Sequence, residues 1–339
     1  MFRVRTPRFV SLASAVLLAL ALHVNASADQ NAGWIAVGTT PVDVAVSPDG
    51  SRAYSSNQGS NNVSVINLFT NTVIATIPVG GGALQGLAVS PDNTKVYVAS
   101  SSSNTVRVIN TTTLTEVGNI TLGGATFPVD VAFDPYGSGR AFVTCLSSNH
   151  VAAIDVATNT LSQLFNSGSP GPRGVAVANT PNGVRVYTAN ASFGTNFVDV
   201  LTPFGGFQQS IAFGANTQPW YLAATANGSK VFVSLNGTVQ TARIDTATNT
   251  INSYVTNFGG QPWGVATAQT PFGEKVYVAD RAGWDGVNGD VTIIQVSNNA
   301  RSQLLLGRFP MGVAAKPDGT RVYVATSGRN RISIIDTTQ

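Results

Sequence analysis

Cysteine is almost missing from this chain of 339 residues: Cys145 stands alone, so no intrachain disulfide can form. Its setting, Ala141-Phe142-Val143-Thr144-Cys145, reads as a strand, where a thiol serves as a small buried hydrophobe rather than a nucleophile. Histidine is nearly as scarce. Only His150 lies beyond the first 28 residues, which excludes a zinc site built on several histidines and any catalytic set needing two. No Cys-Xaa-Xaa-Cys-His stretch offers a haem attachment point. Charged residues make up 10% of the chain, and helical periodicity of any length is lacking. The apolar run Leu12 to Leu22 is too short to span a bilayer, and no second run is longer.

That short run has a different meaning. Arg3, Arg5 and Arg8 precede it and Ala26-Ser27-Ala28 follows it, the order of a cleaved secretory signal. The expectation is a cut after Ala28 and a secreted or periplasmic chain that inserts in no membrane. Three of the 19 Lys and Arg leave with this segment, while all 16 acidic residues remain. The body is therefore neutral, 16 against 16, with no global attraction for nucleic acid or an anionic membrane.

What the sequence has in quantity is a repeat. Pro41-Val42-Asp43-Val44-Ala45-Val46-Ser47-Pro48-Asp49-Gly50-Ser51-Arg52-Ala53-Tyr54 contains a short strand, a tight turn and a second strand. Variants restart near residues 84, 128, 172, 219, 262 and 310. The second strand marks them best, as in Val96-Tyr97-Val98, Val231-Phe232-Val233 and Val322-Tyr323-Val324. Each unit holds four β-branched or aromatic runs bounded by Gly, Pro, Asn, Asp or Ser. The last unit stops after its third strand, and one strand, Trp34 to Val37, is left over before the first. An all-β, seven-bladed β-propeller of four-stranded antiparallel blades follows, one domain over residues 29–339, with the N-terminal strand completing the last blade.

The Tyr-Val-Ala second strands, the Pro-Xaa-Gly-Val-Ala openings and the Ser-Pro-Asp-Gly turn resemble the repeats of exported YVTN-type β-propeller proteins, over essentially all of the body. The resemblance implies the fold and leaves the function open. Proteins of that architecture include surface-layer and adhesion-like proteins, a single-stranded DNA binder, lactonases and the large subunits of quinoprotein amine dehydrogenases.

In such a ring the first strand of each blade lines the channel, and the loops before it and between strands two and three share one rim. The two residues after each leading proline or its counterpart are where the copies disagree. Asp43, Asp130, Arg173, Trp220, Tyr221 and Trp263 replace the glycines and aliphatics found elsewhere. Arg281, Trp284 and Asp285 lie in the longest insertion, Asp280 to Asp290. Aromatics, arginines and carboxylates in one sector suit a flat, sugar-like or peptide ligand, although each tryptophan alone also suits packing between blades. Asp280, Asp285, Asn288 and Asp290 are oxygen ligands without calcium-loop spacing, and read as a solvated turn with no metal. Asp43 and Asp130 suggest an acid/base pair if they face each other, or a salt bridge to Arg173, or hydrogen bonds to loops. The expectation is a monomeric, non-catalytic binding module without a cofactor, with a protein or glycan partner on blades 4 to 6. The alternative is an enzyme of lactonase type, or an amine dehydrogenase-like large subunit, using the channel mouth. Single-stranded nucleic acid is the lesser option, carried by Arg173, Arg281, Arg329 and Arg331 beside tryptophans.

Overall fold

A computed structural model describes residues 29–192, 194–281 and 289–339, together with the backbone but not the side chain of Thr195. It is all-β, with seven four-stranded antiparallel sheets, each ordered from an innermost to an outermost strand. The innermost strands are Pro41–Val46, Leu84–Val89, Pro128–Phe133, Pro172–Thr180, Pro219–Ala224, Gln261–Thr270 and Pro310–Ala315, here blades 1 to 7. Each touches the next, and the seventh touches the first, so the sheets form a closed ring. Among the described residues no helix is long and apolar enough to cross a membrane.

The repeated aromatic of the second strand is the core of each blade. Tyr54, Tyr97, Phe142, Tyr187, Phe232, Tyr277 and Tyr323 are all at most 1% exposed, which makes them the largest fully buried side chains. A buried tyrosine must still satisfy its hydroxyl. Tyr97 and Tyr187 do so by donating to the Oδ1 of Asn159 and Asn249, at 2.7 and 2.8 Å, in a turn of the following blade. Those asparagines have φ values of 54° and 51°, a left-handed conformation that asparagine tolerates well. In blades 2 and 4 the side chain that fills the blade thus also ties it to its neighbour.

The strand Gln30–Ala36 pairs antiparallel with Arg331–Asp336 and is the outermost strand of blade 7. Ile35 packs with Val44, Leu68, Ile332 and Ile334, so it bridges blades 7 and 1. Just before it, the buried Asp29 carboxylate accepts two 3.0 Å hydrogen bonds from Lys275 Nζ of blade 6. Cutting Ile35 to alanine is expected to cost about 2–4 kcal/mol of unfolding free energy, read from urea titration. Deleting residues 29–36 should cost more and loosen blade 7 first in hydrogen exchange; an unchanged urea midpoint would show that this strand adds nothing.

Candidate functional site

Every innermost strand carries a bulge directly after its leading proline, or after Leu84 in blade 2, as between Pro41 and Asp43 or Pro172 and Val175. A bulge leaves backbone groups unpaired and re-aims two side chains. Second-strand hydroxyls collect some of these groups. Ser56 donates to the Gln85 carbonyl of blade 2 at 2.7 Å, and Thr144 donates to the Arg173 carbonyl of blade 4 while accepting the Asp130 amide at 3.2 Å. The second bulge residues of six blades line the channel, where the first ones Val42, Gln85, Trp263 and Met311 join them, whereas the first bulge residues Arg173 and Trp220 line a separate cleft.

Around the axis the second bulge residues are Asp43, Gly86, Asp130, Gly174, Tyr221, Gly264 and Gly312. The glycines make room for their neighbours. A Cβ on Gly86 would lie 2.7 Å from the Asp130 carboxylate, one on Gly174 2.7 Å from the Tyr221 backbone, and one on Gly312 2.1 Å from Asp43 Oδ1. Asp43 accepts the Val44 amide at 2.8 Å and, across the blade boundary, the Leu87 amide at 3.0 Å. Asp130 repeats this with Val131 at 2.9 Å and Val175 at 3.0 Å. Both touch a channel cavity of about 340 Å³ that Tyr221 and Trp263 also line.

Asp43 and Asp130 therefore belong to the channel rather than the rim, and their partners are backbone amides. Neither pairs with Arg173: the described ion pairs are Arg107–Glu116, Lys275–Asp29 and Lys316–Asp318. Burial inside the ring, reinforced by the Asp130 carboxylate, pushes Asp43 up to about 8. Burial pushes Asp130 up to about 7, against the pull of its two amides. Tyr221 is raised as well, by burial and then by the two aspartates.

The first bulge residues of blades 4 to 6, Arg173, Trp220 and Trp263, form a second group. The Trp220 and Trp263 rings meet edge to face, centroids 4.2 Å apart and planes at 82°. Arg173 lies over Trp220 at 4.4 Å, and Arg281 over Trp263 at 5.2 Å. Tyr221 stacks at 6.4 Å from Trp263, joining rim to channel. Beside Trp220 a cleft of about 780 Å³ opens between blades 3, 4 and 5, lined by Arg173, Asn149, Asn196, Asn216 and Gln218. Arg173 Nε is buried there without a hydrogen-bond partner. The structure thus brings Arg173, Trp220, Trp263 and Arg281 together on one sector. The amide-lined cleft escaped sequence reasoning, because its residues come from loops of three blades and share no motif.

Trp284 and Asp285 lie outside the described residues, as does Asn288. The ends of their insertion are not the solvated turn expected. Asp280 and Asp290 face each other across adjacent strands and are buried. Asp280 accepts from Asn257 Nδ2 at 2.7 Å and from the Thr292 hydroxyl. Burial pushes Asp280 up to about 8 and raises Asp290, since two adjoining carboxylates in low dielectric do not both ionise. Among the described residues no three His, Cys, Asp or Glu side chains converge to hold a metal ion.

Carboxyls raised this way keep a proton in the folded chain that the unfolded chain has released, so their contribution is complete below about pH 4 and is lost as pH rises toward 8. Thermal midpoints are expected to fall from pH 5 to pH 8, and to fall less in Asp43→Asn/Asp130→Asn, whose amides do not titrate. The double variant should start about 1–3 kcal/mol less stable, because an Asn NH2 faces a backbone N–H at each site. An unaltered pH slope would show that these two carboxyls ionise freely.

No protein-family model and no curated protein matches the chain. Among solved structures, hydrazine synthase of Kuenenia stuttgartiensis superposes with a TM-score of 0.74 over 89% of this chain and 97% of that one, at 22% identity. At that identity the likeness is one of fold.

Proposed function

We propose that this chain is an exported, non-catalytic binding module that holds a protein or glycan partner on the rim of blades 4 to 6. One observation carries the reading: two tryptophans in edge contact at the channel mouth, flanked by Arg173 and Arg281 stacked on them, beside a cleft lined with amides. Aromatic and arginine side chains fixed by mutual packing lose little entropy on binding, which is what makes such residues the energetic centre of an interface. The ring beneath them is stiff, since tyrosine hydroxyls, serine hydroxyls and carboxylates cross from blade to blade.

An enzyme of lactonase type, or a redox large subunit, is the second reading, and it draws on Asp43, Asp130 and Tyr221 around the channel cavity. Their raised pKa values would suit acid/base work. Each carboxylate is nevertheless already engaged by two amides, one of them in the next blade. That favours a structural duty.

The two readings separate by experiment. Capture from native envelope or culture-medium extracts, alongside a glycan array, should give a specific partner signal that Trp220→Ala/Trp263→Ala weakens by at least about tenfold with the fold intact by circular dichroism. Signals unchanged by that double substitution would sink the rim reading. Turnover of a lactone panel that disappears in Asp43→Asn would establish the second.

A further inference from the structure

The body of the chain is neutral as a sum, but its charges are unevenly spread: one face carries cations and carboxylates together, the other carries arginines with few carboxylates. The turns that join strands one to two and three to four lie on one face; the loops before strand one and between strands two and three lie on the other. Asp49, Asp92, Asp155, Asp245, Asp318 and Asp336 all sit at the first face, as do Glu274 and the four lysines, Lys95, Lys230, Lys275 and Lys316. Glu116, on an outer strand, is paired with Arg107. The described carboxylates on the other half are the channel pair and the buried Asp199, Asp280 and Asp290. Asp285 lies outside the described residues.

The channel-mouth face instead carries arginine and no lysine. Arg173 and Arg281 flank the tryptophans, and Arg308, Arg329 and Arg331 follow on blade 7. Arg308 stands 5.2 Å over Phe309, whose ring also lies 5.0 Å from Arg281. Arg329 and Arg331 converge on Gly307, within 3.5 and 3.6 Å of where its Cβ would be. The positive charge of Arg329 adds to burial in lowering the Arg331 pKa. Arg173, Arg308, Arg329 and Arg331 have no described carboxylate within ion-pair distance. Like charges gathered without counter-charges cost stability unless a ligand supplies the anion.

We infer that this face binds an anionic polysaccharide, a chain bearing uronate carboxylates or sulfates, seated in the amide-lined cleft at Arg173 and running over Arg281 toward Arg308, Arg329 and Arg331. The proposal rests on the binding reading above and names its ligand class. Guanidinium groups meet carboxylate and sulfate through paired N–H bonds, a geometry that lysine does not offer. Asn149 and Asn196 each accept a backbone amide through Oδ1, from Gly171 and Gln218 at 2.9 Å, which leaves their NH2 groups for sugar hydroxyls. The same geometry disfavours single-stranded nucleic acid. Bases need free aromatic faces, whereas Trp220 and Trp263 each already carry one guanidinium and Phe309 carries two.

The test uses the chain from residue 29 onward with four probes: polygalacturonate, dextran sulfate, neutral dextran and an oligothymidylate, each at low and high salt. Binding to polygalacturonate or dextran sulfate but not to dextran is expected, weakening as salt rises. Arg308→Gln/Arg329→Gln should weaken it about tenfold and Arg173→Gln comparably, while Arg185→Gln, on the opposite face, leaves it unchanged. Equal binding of neutral dextran, an equal loss in Arg185→Gln, or tighter binding of oligothymidylate would each overturn the proposal. So would failure of both anionic glycans. If that failure came with partner capture that still depends on Trp220 and Trp263, the binding module would stand and only its ligand class would fall.

Discussion

Space at the axis is the constraint on which the rest of this ring depends. Seven strands converge there, and a blade can place a side chain at the axis only where its neighbour gives way. The Asp43 carboxylate fits because blade 7 has Gly312, and Asp130 fits because blade 2 has Gly86. In return each carboxylate reaches the amide of the following blade, Leu87 or Val175, which a bulge has left without a ladder partner. A buried N–H without an acceptor is costly, so the aspartates satisfy a need that the bulges create. The carboxyls in turn sit where burial favours their neutral form. The channel wall is thus polar, around a cavity of about 340 Å³.

The rim inherits its geometry from this arrangement. Because the second bulge residue is committed to the axis, the first can leave it, as Arg173 and Trp220 do in lining a separate cleft. Arg173, Trp220 and Trp263 occupy that position in three successive blades. Their contacts are with one another rather than with the channel carboxylates, which explains why Arg173, one residue before the axial Gly174, forms no salt bridge there. In blades 4 and 5 the axial residue and the cleft residue are separated by a single step along the strand.

The fold was largely legible because its causes are local. Alternating strands, tight turns that are variants of Ser-Pro-Asp-Gly and the buried second-strand aromatic each act within a few residues, and they recur often enough to be counted. The site was legible only as a set of residue types. Asp43 announced itself by departing from glycine, but its partner amide at Leu87 belongs to the next blade, and no spacing signals it. Asp280 and Asp290 looked like members of a polar turn, although the register of two strands buries them against each other. Net charge misled in another way: a sum over the sequence discards position, and it hides that one face mixes lysines with aspartates while the other gathers arginines with few exposed carboxylates.

Alternation around the axis has a consequence of parity. A ring with an even number of blades could place bulky and glycine residues in strict turn, each carboxylate or phenol facing a gap. Seven cannot, so two glycines must meet, and they do so at Gly264 and Gly312. There the backbones themselves take up the space, with the Met311 carbonyl 2.3 Å from where a Gly264 Cβ would stand. No axial side chain crosses that boundary. The odd count thereby gives a ring of near-identical units one joint unlike the others, between blades 6 and 7, beside the rim where Arg281 and Arg308 share the Phe309 ring.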